Sequence, residues 1–304
     1  MQTNSKQDPA PAQATRLASD QDLAIRAAAE FARKVGSRRR ESGAPVRKGF
    51  VSSAFYTGDA ATPPLAALLR GGGRGGQLRV KLYVSLLWLC SAAPFEASLP
   101  ARAWAALLGL ADPEVRGVRR IHEAIRDLQE RNLITIRDRG GMPNVLGLLN
   151  ENATGEPYTP PSTTYNTLSG QGAEPAQLRR HQYFRIPSSL WTEGHICQLG
   201  GPGIAMLLVL LCEQSRAGTP IWFTPEIARQ RFALAHSTRN AGLDELRELG
   251  LITSKVEVTT EDGTYLTFKR RRNVHQLNLG TPRWPPQWLS TEPATSLNAG
   301  EGSG

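Results

Sequence analysis

Three arginines crowd the start of one predicted helix, and their chemistry is that of base recognition. Residues 117–141 read GVRRIHEAIRDLQERNLITIRDRGG, and Arg116, Arg119 and Arg120 lie where the helical pattern begins. A guanidinium donates two parallel hydrogen bonds, which match the O6 and N7 acceptors of guanine in the major groove of DNA. We therefore predict that these side chains contact the base edges of a duplex. The alternative is a solvated helix face with local ion pairs.

An apolar stripe must position those arginines. Residues at i, i+3, i+7 and i+10 share one face of a helix. In this stretch they are Val118, Ile121, Ile125 and Leu128. The run LITI, a glycine pair and a second apolar run follow the helix, which predicts a strand, a turn and a strand. Arg137 and Arg139 flank this turn, where we expect them to contact phosphate or the minor groove.

The same pattern returns 118 residues later, where Leu243, Leu246, Leu251 and Ile252 take the places of Ile125, Leu128, Leu133 and Ile134. Two predicted helices precede the pattern in each copy. Residues 78–90 match residues 203–214 as the first of these helices. The next one starts at Ala101 in the first copy and after Thr224 in the second, where Thr224 and Pro225 predict an N-cap and a first helical residue.

The second copy offers different contacts to DNA. Its helix opens with HSTRN, in which Ser237 is a candidate N-cap and Thr238, Arg239 and Asn240 offer short polar contacts. We expect Asp244 and Glu245 on the outer face, where carboxylates would repel phosphate, so the following turn should carry more of the binding. There the sequence supplies a row of cationic residues that could contact phosphate. The alternative interpretation is an ordinary solvated end of a strand. The row consists of Lys269, Arg270, Arg271 and Arg272.

Three helices closed by a two-stranded β-wing thus occur twice along residues 49–280. In this order of elements the chain resembles tandem winged-helix DNA-binding proteins, and among them the plasmid replication initiators with two such domains. The resemblance implies a mainly α fold with small β-wings (α+β), built as two tandem winged-helix domains with disordered tails. It rests on topology and patterning and on no diagnostic motif.

Composition predicts where those domains begin and end. The expected segments are a basic, largely disordered amino-terminal tail 1–48, domain 49–150, a flexible linker 151–181, domain 182–280 and a disordered tail 281–304. Within the first tail, one helix is predicted from Asp22. The linker contains many turn-forming residues and no apolar period, so we expect the two domains to fold separately.

The charge balance favours a polyanionic partner. The 304 residues contain 36 Lys and Arg against 27 Asp and Glu, a net charge of +9. Three cysteines without CxxC spacing fit a reducing compartment. The longest apolar run, from Gly203, is too short to span a bilayer, and the amino terminus lacks the apolar core of a signal peptide. We expect a cytoplasmic, nucleoid-associated protein that does not contact a membrane.

Motifs for a dinucleotide site, a metal site or a catalytic nucleophile find little support in the sequence. GGGRGG at 71–76 satisfies the GxGxxG pattern of dinucleotide-binding sites, but the residues before it have a helical pattern where that site needs a strand. LGGPG at 199–203 repeats the glycine cluster in the second copy. The pattern therefore favours a hinge before each helix over a dinucleotide site. His195 and Cys197 lack a second pair at zinc-finger spacing. Tyr56 and Tyr83 are candidate nucleophiles toward DNA, although Tyr83 lies in an apolar helix. We expect no metal, no cofactor and no catalysis.

The sequence therefore predicts sequence-specific binding to double-stranded DNA, most consistent with initiation of plasmid or mobile-element replication. A transcriptional regulator is the close alternative, and a DNA-nicking enzyme is the third. Two copies in one chain could span adjacent segments of the major groove, or one copy could form a homodimer while the other contacts DNA. Replication or transcription proteins are the further partners that these functions imply.

Overall fold

A computed structural model describes residues 11–36, 43–55, 62–70, 73–214, 218–259 and 270–279. The fold is α+β, about 54% helical, with small antiparallel sheets. The prediction of a mainly α chain with small β elements is thus confirmed. In the described ranges, none of the helices has the length and apolar character needed to span a bilayer.

The described residues of the first part of the chain form five helices and four strands. They are α1 (Pro11–Gly36), β1 (Ala44–Arg47), α2 (Pro64–Leu69), α3 (Gly73–Leu89), β2 (Glu96–Ala97), α4 (Ala101–Leu107), α5 (Arg116–Glu130), β3 (Ile134–Arg137) and β4 (Val145–Leu148). Two short 3-10 turns, Lys48–Phe50 and Ser53–Phe55, follow β1. The sheet order is β2-β4-β3, with both pairings antiparallel.

The second part repeats much of this order. Its elements are α6 (Pro161–Gly170), α7 (Pro175–Arg180), β5 (Tyr183–Ile186), α8 (Ser189–Thr192), α9 (His195–Gln198), α10 (Gly201–Glu213), α11 (Pro225–Phe232), α12 (His236–Glu248), β6 (Ile252–Thr259) and β7 (Arg270–Leu277). Strands β6 and β7 pair antiparallel. Ile221 forms a single bridge to His275, in the place that β2 occupies in the first copy.

Matching helix ends explain why the repeat is visible in the sequence. Asn132 and Gly250 follow α5 and α12 with φ of 56° and 67°. Residues in this left-handed region end helices, and glycine and asparagine adopt it most readily. The next residue then bonds back into the helix, from Leu133 N to Leu128 O (3.1 Å) and from Leu251 N to Leu246 O (2.9 Å).

One of the two N-caps that the sequence predicts is present in the structure. Thr224 accepts a hydrogen bond through Oγ1 from Ile227 N at 3.2 Å, as an N-cap does. The candidate cap at Ser237 is wrong, because α12 begins one residue earlier, at His236. The extended residue before the helix is Ala235, which has no side-chain oxygen to offer.

A single core runs through both copies. Helices α3 and α10 pack together, and β1 pairs antiparallel with β5 from Ala44↔Ile186 to Arg47↔Tyr183. Trp88 stacks on Trp191 with ring centroids 4.6 Å apart, and Trp191 Nε1 donates to Ser85 Oγ at 2.8 Å. The sequence predicted separately folding domains, whereas in the structure the two copies share buried side chains.

The segment predicted as a flexible linker holds α6 and α7 and is anchored by polar groups. Glu151 is fully buried and forms an ion pair with Arg47, which is equally buried. Arg47 Nη2 also donates to Thr159 O at 2.7 Å. Because the anchors are charged and polar, the segment shows no apolar period in the sequence.

The predicted amino-terminal helix is longer than its pattern suggests. It begins at Pro11 instead of Asp22 and packs on α8 and α4 through small residues, including Ala28, Ala29 and Ala32. Gly194 permits this close approach, because a Cβ there would lie 2.8 Å from Ile25 Cγ2.

Candidate nucleic-acid interface

Helix α5 has the predicted two faces. Ile121, Ile125 and Leu128 are buried, and Val118 is half-buried. The side chains of Arg116 and Arg119 are both 83% exposed, and Arg120 is half-buried. The helix therefore displays Arg116 and Arg119 to solvent, as the apolar stripe requires.

Most of the predicted arginines of the first copy are in ion pairs. Arg116 Nε lies 3.1 Å from Asp112 Oδ2, and this hydrogen bond lowers the pKa of the aspartate. Arg119 Nε lies 2.9 Å from Glu123 Oε1. In the wing, Arg137 Nη2 lies 2.7 Å from Glu96 Oε2, and Arg139 is exposed. These exposed pairs are weak because solvent screens them, but they neutralise charge locally.

The groove between α5 and the first wing is small and mainly apolar. Its volume is about 250 Å³, and its walls include Leu99, Ile125, Met142 and Leu146, with His122 at the helix. No arginine or lysine of the described ranges lines it. The arginines of α5 therefore lie outside the groove that their own helix forms with the wing.

The equivalent groove of the second copy is a larger, cationic cleft. About 1000 Å³ of space lies between α12, the start of α11 and the strands β6 and β7. Among the described residues, its cationic lining residues are Arg239, Arg247, Lys255, Arg271 and Arg272, and its one acidic lining residue is Asp244. Asp244 Oδ1 lies 2.8 Å from Arg247 Nη1, so the cleft keeps a strong excess of positive charge. We call this feature the cationic cleft.

The cationic cleft brings together four of the predicted site residues, Arg239, Asn240, Arg271 and Arg272. Ser237 is exposed and Thr238 half-buried, and neither lines it. Arg270 is the first residue of β7, but its side chain lies outside the described part of the structure. Lys269 lies entirely outside the described residues.

Three residues of the cleft were missed by the sequence analysis: Trp222, Arg247 and Lys255. The Trp222 side chain is 48% exposed, and the Arg272 guanidinium lies over its ring at 4.8 Å from the centroid. Arg272 also contacts Glu257 Oε2 at 3.1 Å. Lys255 stands in the alternating run ITSKVEVT, whose period of two could have marked it as a wing residue.

Glu245 corrects one sequence expectation. Instead of facing outward near phosphate, it accepts hydrogen bonds from Gly200 N (2.7 Å) and Gly203 N (3.1 Å) at the start of α10. A Cβ on Gly203 would lie 2.2 Å from Glu245 Oε2, so glycine is needed here for the contact. The predicted hinge is therefore wrong, because Gly201 and Gly203 belong to the first turn of α10, as Gly73–Gly76 belong to α3.

A buried lysine lies between the two copies. Lys81 on α3 donates from Nζ to Cys197 O at 3.3 Å, and burial lowers its pKa to about 8. Glu245 and Arg120 also act on it electrostatically. The site is therefore a structural junction at which α3 meets α9. Charged residues of α5 and α12 lie close enough to influence the pKa of Lys81.

Among the described residues, the other candidates for chemistry are buried or half-buried. Tyr83 is inaccessible, and Tyr56 lies outside the described residues. His195 Nε2 contacts Glu193 Oε2 at 3.0 Å, and burial lowers the pKa of the histidine to about 4. Burial also raises the pKa of Cys197 to about 11. Across the described ranges, no three metal-binding side chains lie together.

Comparisons with protein-family models, with curated proteins and with solved structures gave no match for this chain.

Proposed function

We propose that this protein binds double-stranded DNA in a sequence-specific manner and organises replication at a plasmid or mobile-element origin. The observation that carries the DNA-binding part is the cationic cleft. The described lining of five lysine and arginine side chains and one carboxylate, in a space open beside a helix, fits a phosphate backbone and the base edges next to it.

The order of elements supports the same proposal. Each copy runs helix, short strand or bridge, helix, helix, strand, strand: α3 to β4 in the first and α10 to β7 in the second. This is the order of a winged helix, in which the third helix enters the major groove and the wing contacts the adjacent backbone. By this correspondence α5 and α12 are the recognition helices.

The contacts favour the second copy as the main DNA-binding element. Its cleft collects five cationic side chains, of which only Arg247 and Arg272 pair with described acids. In the first copy, Arg116, Arg119 and Arg137 are all held by acids. On α12, Arg239 is placed to donate to guanine and Asn240 to pair with adenine. Both line the cleft and contact only each other and His236 among the described side chains.

Selection from a random duplex library, followed by titration of the selected site, tests the proposal. We expect one enriched site, tighter binding to it than to a scrambled duplex, and a log affinity that falls with log salt by about 0.9 per neutralised phosphate. Retention of no duplex at low salt, or a titration that salt does not change, would contradict DNA binding.

The replication role is tested separately, by the position of the selected site. Iterated copies beside the gene, together with loss of plasmid maintenance when the cleft is mutated, support an initiator. A single copy over a promoter, with normal plasmid maintenance, would replace the replication role with transcriptional regulation and leave DNA binding intact.

A further inference from the structure

Strand β6 is the outer strand of its sheet. Strand β7 pairs with β6 over the whole of both strands, from Ile252↔Leu277 to Thr259↔Arg270. On its other side β7 meets Ile221 through His275. In the part of the chain that the structure describes, no strand lies along the opposite side of β6.

The hydrogen bonds fix which residues of β6 direct their backbone groups outward. His275 exchanges two bonds of 2.7 Å with Ile221, so its N–H and C=O point away from β6. Because this direction alternates along a strand, Val274 and Arg272 point toward β6, where they face Lys255 and Glu257. Ser254, Val256 and Val258 therefore present their N–H and C=O groups at the open edge.

That edge is long and exposed. It extends over eight residues, ITSKVEVT, whereas β3 in the first copy has four. Val256 and Val258 are 63% and 56% exposed. An exposed edge of β-branched residues is a template for pairing with another strand.

The sequence of the edge is complementary to itself. When two β6 strands run antiparallel about a two-fold axis at Val256, each Val256 faces its copy and each Ser254 faces a Val258, with the outward backbone groups aligned. Lys255 then faces Glu257 of the second copy, twice by symmetry. These two residues form non-hydrogen-bonded pairs, in which side chains lie closest.

Neighbouring registers lose this match. An axis at Ser254 places Lys255 opposite Thr253, and an axis at Val258 places Glu257 opposite Thr259. An axis at Lys255 or at Glu257 keeps the outward backbone groups aligned but places Lys255 or Glu257 opposite its own copy, so like charges face each other. An axis that falls between two residues faces inward-directed backbone groups with outward-directed ones. Charge and hydrogen-bond direction therefore select the same register.

We propose that the β6 edge is a homotypic interface, through which two copies of this chain pair antiparallel about Val256 to form a four-stranded sheet β7-β6-β6-β7. One self-complementary patch is what a two-fold dimer requires. The inference does not depend on DNA binding. Because the contact consists of a single pair of strands, we expect a dimer that dissociates on dilution.

Two cysteine variants test the register. In a hydrogen-bonded pair the Cα atoms lie about 5.5 Å apart, within the range that a disulfide spans. Val256→Cys should therefore crosslink to its own copy under mild oxidation. Val258→Cys is the matched control, because the two copies of that residue would lie four residues apart along the strands, about 14 Å. Mass spectrometry of the crosslinked peptide distinguishes the new disulfide from reactions of the native cysteines.

Charge exchange tests the interface without a crosslink. In sedimentation velocity, Lys255→Glu should weaken the dimer roughly tenfold, because two like-charged pairs replace two opposite ones. Adding Glu257→Lys in the same chain should restore association, and circular dichroism shows whether each variant is folded. Equal crosslinking of both cysteine variants, a wild-type chain that stays monomeric at every concentration, or a double variant as weak as the single one would overturn the proposal.

Discussion

An arginine contributes to recognition only when its guanidinium is free to meet a new acceptor. In the first copy, Arg119 lies 2.9 Å from Glu123 and would have to exchange that partner for DNA. In the cationic cleft, Arg271 is exposed on the strand, and Arg239 contacts the neutral Asn240 at 3.4 Å. Arg239 and Arg271 therefore differ from Arg119 in having no acidic partner among the described side chains.

Arg239→Ala and Arg271→Ala should weaken DNA binding in different ways. Loss of a bidentate contact from Arg239 to guanine should cost about 1 to 3 kcal/mol on the selected duplex and relax preference at one base pair. Loss of a phosphate contact from Arg271 should weaken all sequences alike and make the salt slope shallower by about one unit. Competition between selected and scrambled duplexes measures both effects.

Arg26→Ala is the control for this comparison, because Arg26 is exposed on α1, away from the cleft. It should change neither affinity nor specificity. If Arg239→Ala lowered binding to both duplexes by one common factor, its assignment to a base edge would be wrong. Arg119→Ala should weaken DNA binding less than Arg239→Ala, because Arg119 already forms an ion pair with Glu123.

Lys81 should make stability depend on pH in the alkaline range. Burial lowers its pKa from 10.5 to about 8, so between these values the unfolded chain binds a proton that the folded chain does not. The free energy of unfolding should therefore rise as pH increases from 8 to 10.5, by roughly 3 kcal/mol at most. Urea unfolding of the wild type and of Lys81→Met at several pH values measures the difference. A difference that stays constant from pH 7 to 10.5 would contradict this.

At the scale of elements, periodic apolar residues made the repeat predictable. Helices α5 and α12 and the strands that follow them were found because Ile125, Leu128, Leu243 and Leu246 mark one face in each copy. Contacts between polar groups far apart in sequence leave no such period. Neither the burial of Glu151 nor the turn of Glu245 toward α10 could be read from neighbouring residues, so the linker and the outer face of α12 were misjudged.

The ion pair of Arg47 and Glu151 should be the main anchor of the segment between the copies. Glu151→Gln leaves a buried guanidinium without its counterion, and breaking such a pair costs about 3 to 5 kcal/mol. As a control, Glu226→Gln breaks the exposed pair with Arg229, which should change stability little because solvent screens it. Chemical denaturation of the two variants compares them directly. Equal losses would show that the segment is held by other contacts.

At the scale of the whole molecule, the two proposals fit one geometry. The two-fold axis of an antiparallel strand pair is perpendicular to the sheet, so a β6 dimer would carry both cationic clefts on the same side. A dimer of this kind suits a DNA site with inverted symmetry, since the symmetry of a site mirrors that of the protein. Selection for binding should then enrich inverted repeats at concentrations where the dimer forms.

The shared core predicts that both copies unfold together. Trp88 is 3% exposed and stacks on Trp191 of the other copy, so Trp88→Ala should remove about 3 to 5 kcal/mol of stability. Because the contact joins the copies, the variant should still show one transition, at lower denaturant, by both circular dichroism and tryptophan fluorescence. Trp222→Ala, at an exposed position, is the control and should cost about 1 kcal/mol or less. Two separate transitions in the wild type, with only one of them moved by Trp88→Ala, would instead restore the picture of independent domains that the composition of residues 151–181 suggests.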